Sequence, residues 1–216
     1  MDVVTLERKY EALTRAVIVL KSGGVIVVPT DTVYGLCADA QNPKAIEQVF
    51  IIKARSRREP LPVLVRDFAM LDDVAYVADG RTRAFLEAVW PGGVSAVLPS
   101  RGWMPLSLRA DRLSICVRIP EASFATELLK SFGKPLVGTS ANLAGRPACA
   151  SAQEVAKQFS HVPTRPDYMI DAGALPGVPS TVVDVTVWPP AILREGAVPA
   201  DMILAYAQQA EKKHAA

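Results

Sequence analysis

The chain is poor in several chemistries, and each shortage excludes something. Its 216 residues hold two histidines, His161 and His214, and three cysteines, Cys37, Cys116 and Cys149, with no CxxC spacing. A histidine metal centre or a Ser-His-Asp triad would rest on His161 alone, because His214 lies in a Lys-Lys-His tail. An odd number of scattered cysteines argues against a disulfide framework or zinc site and for a reducing compartment. No apolar run approaches the roughly 20 residues that a membrane helix needs. The opening Met-Asp-Val-Val has no basic stretch followed by an apolar one, so no signal peptide is expected and the protein is expected to be cytoplasmic, without membrane contact. Net charge is only +2, so bulk charge gives no argument for nucleic acid and leaves open only a local basic patch. A GxxxxGK[ST] loop, a GxGxxG fingerprint after a strand and an HExxH helix are all missing. These absences speak against a Walker-type ATP site, an NAD site and a zinc protease.

Half the residues are hydrophobic and 21% are charged, as in ordinary globular domains. No Pro/Gly/Ser-rich linker divides the chain, so residues 1–216 read as a single domain with a core over about 10–205. Apolar spacing predicts helices over Leu6–Leu20, from Asn42-Pro43 to Lys53, twice within Asp67–Trp90, over Phe124–Phe132, after the Ser151/Glu154 capping box, and over Asp201–Lys212. Strands are predicted at Val25–Val28, Leu61–Val65, Val94–Leu98, Leu113–Ile119, Leu136–Val137, Tyr168–Ile170, Thr181–Val187 and Ala191–Leu193. Strands and helices interleave without a strict βαβ period, which gives an α/β class with a mixed sheet and helices on its faces.

Seven segments could carry chemistry, most with a plainer reading beside them. Pro29–Leu36 follows a buried strand and offers two hydroxyls, a carboxylate and a phenol; it reads as a ligand loop or as a polar turn. Gly35 there would allow a positive φ or a close ligand approach. Lys53-Ala54-Arg55-Ser56-Arg57-Arg58 puts cations at a helix end, either as a phosphate clamp or as simple capping of exposed cations. Gly138–Asn142 reads as a strand-end phosphate or ribose holder or as an Asx turn. Pro179–Asp184 opens a strand with a hydroxyl pair, and Arg194 ends another. Arg118 follows apolar strand residues and needs a partner or an anion if buried. Trp90-Pro91-Gly92-Gly93 reads as an anion nest or a turn.

Taken together these segments resemble the YrdC-like family, the threonylcarbamoyl-AMP synthases. PTDTVYGL at 29–36, Lys53-x-Arg55, Trp90-Pro91-Gly92, Val117-Arg118-Ile119-Pro120, Ser140-Ala141-Asn142, Ser180–Asp184 and Arg194-x-Gly196 occur in the family's order. The resemblance implies a single-domain twisted sheet around a deep basic cleft. It also implies a nucleotidyltransferase that makes threonylcarbamoyl-AMP and pyrophosphate from L-threonine, bicarbonate and ATP, for modification of tRNA by partner proteins. By position, Thr32, Arg118 and Ser180 would hold threonine. Arg55, Ser114, Ser140, Asn142 and Arg194 would surround ATP, and Lys53 and Arg55 would act on the phosphates. Magnesium would arrive with ATP and bind mainly through substrate and water, with no protein ligand set.

The chain departs from the family pattern at Ser56, Glu59, Leu64, Gly93 and Ala148. Gly93 is expected to loosen its turn. The chain ends soon after Arg194-x-Gly196, so the extra C-terminal domain of longer members is expected to be absent. The competing function is a non-catalytic RNA- or tRNA-binding module on the same fold.

Overall fold

In the computed structural model, residues 1–110 and 113–215 are described. The elements are β1 (Asp2–Thr5), α1 (Lys9–Lys21), β2 (Ile26–Pro29), β3 (Tyr34–Asp39), α2 (Pro43–Lys53), β4 (Val63–Leu64), α3 (Phe68–Val74), α4 (Gly80–Val89) and β5 (Val94–Pro99). Then follow β6 (Arg109–Ala110), β7 (Ser114–Arg118), α5 (Phe124–Phe132), β8 (Leu136–Ser140), α6 (Ala152–Phe159), β9 (Tyr168–Asp171), β10 (Thr181–Asp184), β11 (Ala191–Arg194) and α7 (Ala200–Ala215). All strands join one mixed sheet in the order β1-β9-β2-β3-β8-β4-β7-β5-β10-β11, with β6 paired to β7. No described helix is long and apolar enough to cross a membrane.

Local chemistry sets the helix ends. The Asn42 side chain accepts hydrogen bonds from the N–H groups of Lys44 and Ala45, and Pro43 fills the position where a donor would be idle. Asp67 and Asp79 cap α3 and α4 by accepting from Met70 and Thr82, which divides the predicted helical stretch in two. Gly133, at φ 79°, ends α5 in the left-handed region that glycine adopts without strain. The Ser151 hydroxyl caps α6 through Glu154 N–H, while the Glu154 carboxylate reaches back to Ala150 N–H.

Three differences from the sequence reading matter. β3 was not foreseen as a strand, yet all six of its residues are buried between β2 and β8. β8 runs three residues further than its apolar part, through Gly138, Thr139 and Ser140. β1 and β6 are additional, and the predicted strand at 61–65 shortens to Val63–Leu64.

Side chains alternate across a strand, so the sheet has two distinct faces. One is sealed by α2, α3, α4, α6 and α7, which pack residues such as Phe50, Phe85 and Phe159 against Val27, Leu36, Val63, Ala96, Ile115, Val117 and Val183. The other face is only half covered. There α1 and α5 lay Ala16, Leu20, Leu128 and Leu129 on Ile26, Val28, Cys37 and Leu136. The helices stop at that edge, and the rest of the face is open.

Candidate functional site

The open half is a cavity of about 770 Å³, a size suited to a small-molecule ligand. Its floor follows from strand register. β7 contributes Ser114, Cys116 and Arg118, every second residue, while Ile115 and Val117 point into the core. β5 contributes Ser95 and Val97, and β10 contributes Val182 and Asp184. Val97 pairs with both Cys116 and Asp184, and Ser95 with Val182, so these residues share one face. Gly35 opposite Ser140, and Leu64 level with Arg118, extend the floor across β3, β8 and β4. The site therefore lies along a sheet face, in addition to the strand ends that the sequence suggested.

Eight of the nine residues singled out from the sequence line this one cavity: Thr32, Arg55, Ser114, Arg118, Ser140, Asn142, Ser180 and Arg194. The segment between β2 and β3 is both a hairpin turn and part of the wall. The Thr30 hydroxyl accepts from the N–H groups of Thr32 and Val33 and donates to Val33 O at 2.7 Å, which fixes the turn. Gly35 sits within β3 without a positive φ; a methyl group there would stand 3.5 Å from the Thr30 methyl. Gly35 therefore lines the cavity floor without a special backbone angle.

Arg118 is 5% exposed and finds its expected partner in Asp31. Its NH2 donates to Asp31 Oδ2 at 2.5 Å, its NH1 to Thr32 Oγ1 at 3.0 Å, and its Nε to Gly92 O at 2.8 Å. Three of five guanidinium donors are thus spent on orientation, which leaves two for an anion. On β10 the Ser180 hydroxyl lies 2.9 Å from that of Ser95, and Ser180 O accepts from Arg194 NH2 at 2.7 Å. Arg55 donates to the carbonyls of Glu59 and Pro60 and stands 3.5 Å from the Glu59 carboxylate. Arg57 turns away to pair with Glu47.

Lys53 corrects the expectation of an exposed cation on the phosphates. It is 1% exposed and is not part of the cavity lining. Its Nζ donates to Ser140 O at 2.5 Å, Asn142 O at 2.8 Å and Asn142 Oδ1 at 3.3 Å. Burial, and after it the Arg55 guanidinium, push its pKa down to about 7. The three oxygens act the other way, since they match the three donors of an ammonium. Helix burial explains the difference: Lys53 shares the inner face of α2 with Val49 and Phe50.

The altered proline-glycine segment is also tighter than expected. Gly92 N–H donates to Ile119 O and Gly93 O accepts from Thr181 N–H, so no anion nest forms there. A side chain on Gly93 would come within 3.0 Å of the Ala197 methyl, so glycine allows close contact and does not loosen the turn. Leu64 forms floor, packed so closely on Gly138 that a methyl there would clash at 2.2 Å. Glu59 and Ala148 lie in the lining.

Beyond those nine candidates the lining includes Thr30 and Asp184, which lie inside two of the motif segments, Arg58 of the basic run, and Ser95, Cys116 and Arg146. Among the described residues, five arginines and two carboxylates line the cavity. Among the described residues no three His, Cys, Asp or Glu side chains form a metal-binding group.

The Sua5/YciO/YrdC family model, described as "Telomere recombination", matches residues 18–196. The chain belongs to this family. Its Pyrococcus abyssi relative, a threonylcarbamoyl-AMP synthase, is 32% identical over 85% of this chain and 54% of its own length. A putative threonylcarbamoyl-AMP synthase of Mycobacterium tuberculosis is 32% identical over 94% of this chain and 92% of its own. The structure of P. abyssi Sua5 complexed with L-threonine superposes with a TM-score of 0.87 at 30% identity, covering 95% of this chain and 60% of that one. The chain thus spans little more than half of the longer Sua5 relative and nearly all of the mycobacterial one. The family's mixed α/β fold is what the sheet and its helices display.

Proposed function

We propose that this chain is an L-threonylcarbamoyladenylate synthase. The observation that carries the reading is the convergence of Thr32, Arg55, Ser114, Arg118, Ser140, Asn142, Ser180 and Arg194 on one arginine-lined cavity. Relatives named threonylcarbamoyl-AMP synthase and a Sua5 structure complexed with L-threonine support the substrate assignment.

The chemistry suits such a site. The neutral threonine amine attacks the carbon of bicarbonate; an N–H proton and the bicarbonate hydroxyl leave together as water, which gives a carbamate. A carbamate oxygen then attacks the α-phosphorus of ATP, the bond to the β-phosphate oxygen breaks, and pyrophosphate leaves with the electron pair. This sequence needs no covalent enzyme nucleophile and no histidine. It needs charge neutralisation and alignment. Arg118, held by Asp31, Thr32 and Gly92, would take the threonine carboxylate, and the Thr32 and Ser180 hydroxyls of the same cavity would complete the threonine site. Arg55, Ser114, Ser140, Asn142 and Arg194 would surround the nucleotide. Of the acidic lining residues, Asp184 is tied to Thr186, so magnesium fits as a companion of the triphosphate, held by phosphate oxygens and water. The product would pass to partner proteins that modify tRNA.

The test is incubation with L-threonine, bicarbonate, magnesium and ATP. Pyrophosphate release that depends on threonine, together with a new adenylate on chromatography, is expected. RNA binding with no such turnover would overturn the proposal in favour of a binding module.

A further inference from the structure

With Lys53 buried behind the wall, the cations able to meet a triphosphate must come from elsewhere. Arg55 is already shared with Glu59 and two carbonyls. Arg146, outside every motif described above, lines the same cavity and is exposed, and among the described residues no carboxylate is paired with it. Its backbone is held with unusual thoroughness for a loop. The Asn142 amide donates to Arg146 O at 2.6 Å and to Leu143 O at 2.9 Å. Arg146 N–H donates to Leu143 O, and Ala144 N–H to the backbone carbonyl of Lys53. The other end of the Asn142 amide, and its main-chain carbonyl, receive the Lys53 ammonium. Gln158 adds a hydrogen bond to Leu143 N–H.

We infer that Lys53 and Asn142 form a bracket that presents Arg146 to the cavity, and that Arg146 is a phosphate-binding residue of the nucleotide site. The inference rests on the nucleotide reading above and changes the division of labour within it. Lys53 is a positioning residue, buried and saturated with acceptors. Arg146 supplies the free guanidinium, whose planar fork of N–H donors fits two phosphate oxygens at once. Arg58 lines the same cavity and adds further positive charge.

The experiment is calorimetric titration of the whole protein with ATP and magnesium in the absence of threonine, alongside steady-state kinetics. Arg146→Ala should weaken ATP binding by about tenfold and raise KM for ATP similarly, as expected for one charge-assisted contact. KM for threonine should stay within about twofold, since Arg118 and Ser180 are untouched. Arg146→Lys should recover only part of the loss, because it keeps charge without the fork. The weakening should shrink at high salt. A control variant, Arg165→Ala, removes an exposed arginine outside the cavity and should bind ATP as the parent does. If the parent binds ATP and Arg146→Ala binds it equally well, the inference is overturned while the proposed function stands. If the parent binds no ATP, both are overturned together.

Discussion

The sheet face that carries the site has two halves with one backbone geometry and opposite chemistry. Over β2, β3 and the start of β8, inward positions are Ile26, Val28, Cys37 and Leu136, and α1 and α5 cover them. Over β7, β5 and β10, the equivalent positions are Ser114, Cys116, Arg118, Ser95, Val97, Val182 and Asp184, and they line the cavity with no described helix packed on them. The back of the sheet shows no such division; it is apolar along β5, β7 and β10 as well as β2 and β3. Half of one face has therefore been withheld from the core. Hydroxyls and guanidinium groups there would be costly under a helix and are instead available to a polar ligand.

The sharpest way to break this comparison is to make equivalent truncations in the two halves. Leu128→Ala removes a fully buried side chain from the covered half and should cost about 3 kcal/mol in urea unfolding. At temperatures where that variant stays folded, its KM values should match the parent's. A large rise in the KM for threonine or ATP would mean that the covered half shapes the cavity, and the division would fail.

Lys53, at the end of α2 and bonded to Ser140 and Asn142 at the end of β8, gives a different test. Lys53→Ala leaves Ser140 O, Asn142 O and Asn142 Oδ1 without their donor inside the protein, and should cost about 2 to 3 kcal/mol. A surface phosphate ligand would lose activity without losing stability. The same residue gives a pH signature. Its pKa falls from the ordinary 10.5 to about 7 on folding, so between those values the unfolded chain binds more protons than the folded one. Stability linked to Lys53 should therefore rise with pH across that window and be lowest below pH 7. Because burial pushes the Cys37 and Cys116 thiols up to about 12, their contributions run the other way above pH 9. Comparing the parent with Lys53→Met from pH 7 to 9 isolates the lysine. The gap in unfolding free energy should move in favour of the parent as pH rises; a gap constant with pH would refute the assignment.

How much of this was legible beforehand depends on what each residue signals locally. Helix starts were readable at Asn42 and Ser151 because each caps N–H groups within three residues of itself. β3 was not, because Gly35, Ala38 and Asp39 disfavour strands and outweigh Tyr34, so the segment becomes a strand through pairing with β2 and β8. The motif residues converge as expected, yet the motif pattern does not say which of them faces the ligand. Lys53 and Arg55 are two apart on paper; one ends inside the protein and the other in the cavity wall, since the helix stops at Ala54 in a left-handed turn. Arg146 was invisible because its placement depends on a loop tied down from a helix nearly a hundred residues earlier. The polar alternation Ser114, Cys116, Arg118 was present in the sequence as a period of two and could have announced the open face.

The smallest predicted effect separates positioning from binding within the open half. Ser95 is 3% exposed, and its hydroxyl lies 2.9 Å from that of Ser180. Ser95→Ala removes one neutral hydrogen bond and should cost about 1 kcal/mol of stability. The cavity keeps its shape, because β5 remains paired with β7 and β10 through the backbone. What changes is the freedom of the Ser180 hydroxyl, which loses its fixed partner and must be ordered by the substrate instead. The KM for threonine should then rise a few-fold with kcat and the KM for ATP unchanged. Ser180→Ala should raise it more, since that hydroxyl itself is placed against threonine. Equal effects from the two variants would show that the pair acts as a structural unit, and would remove Ser180 from the threonine site.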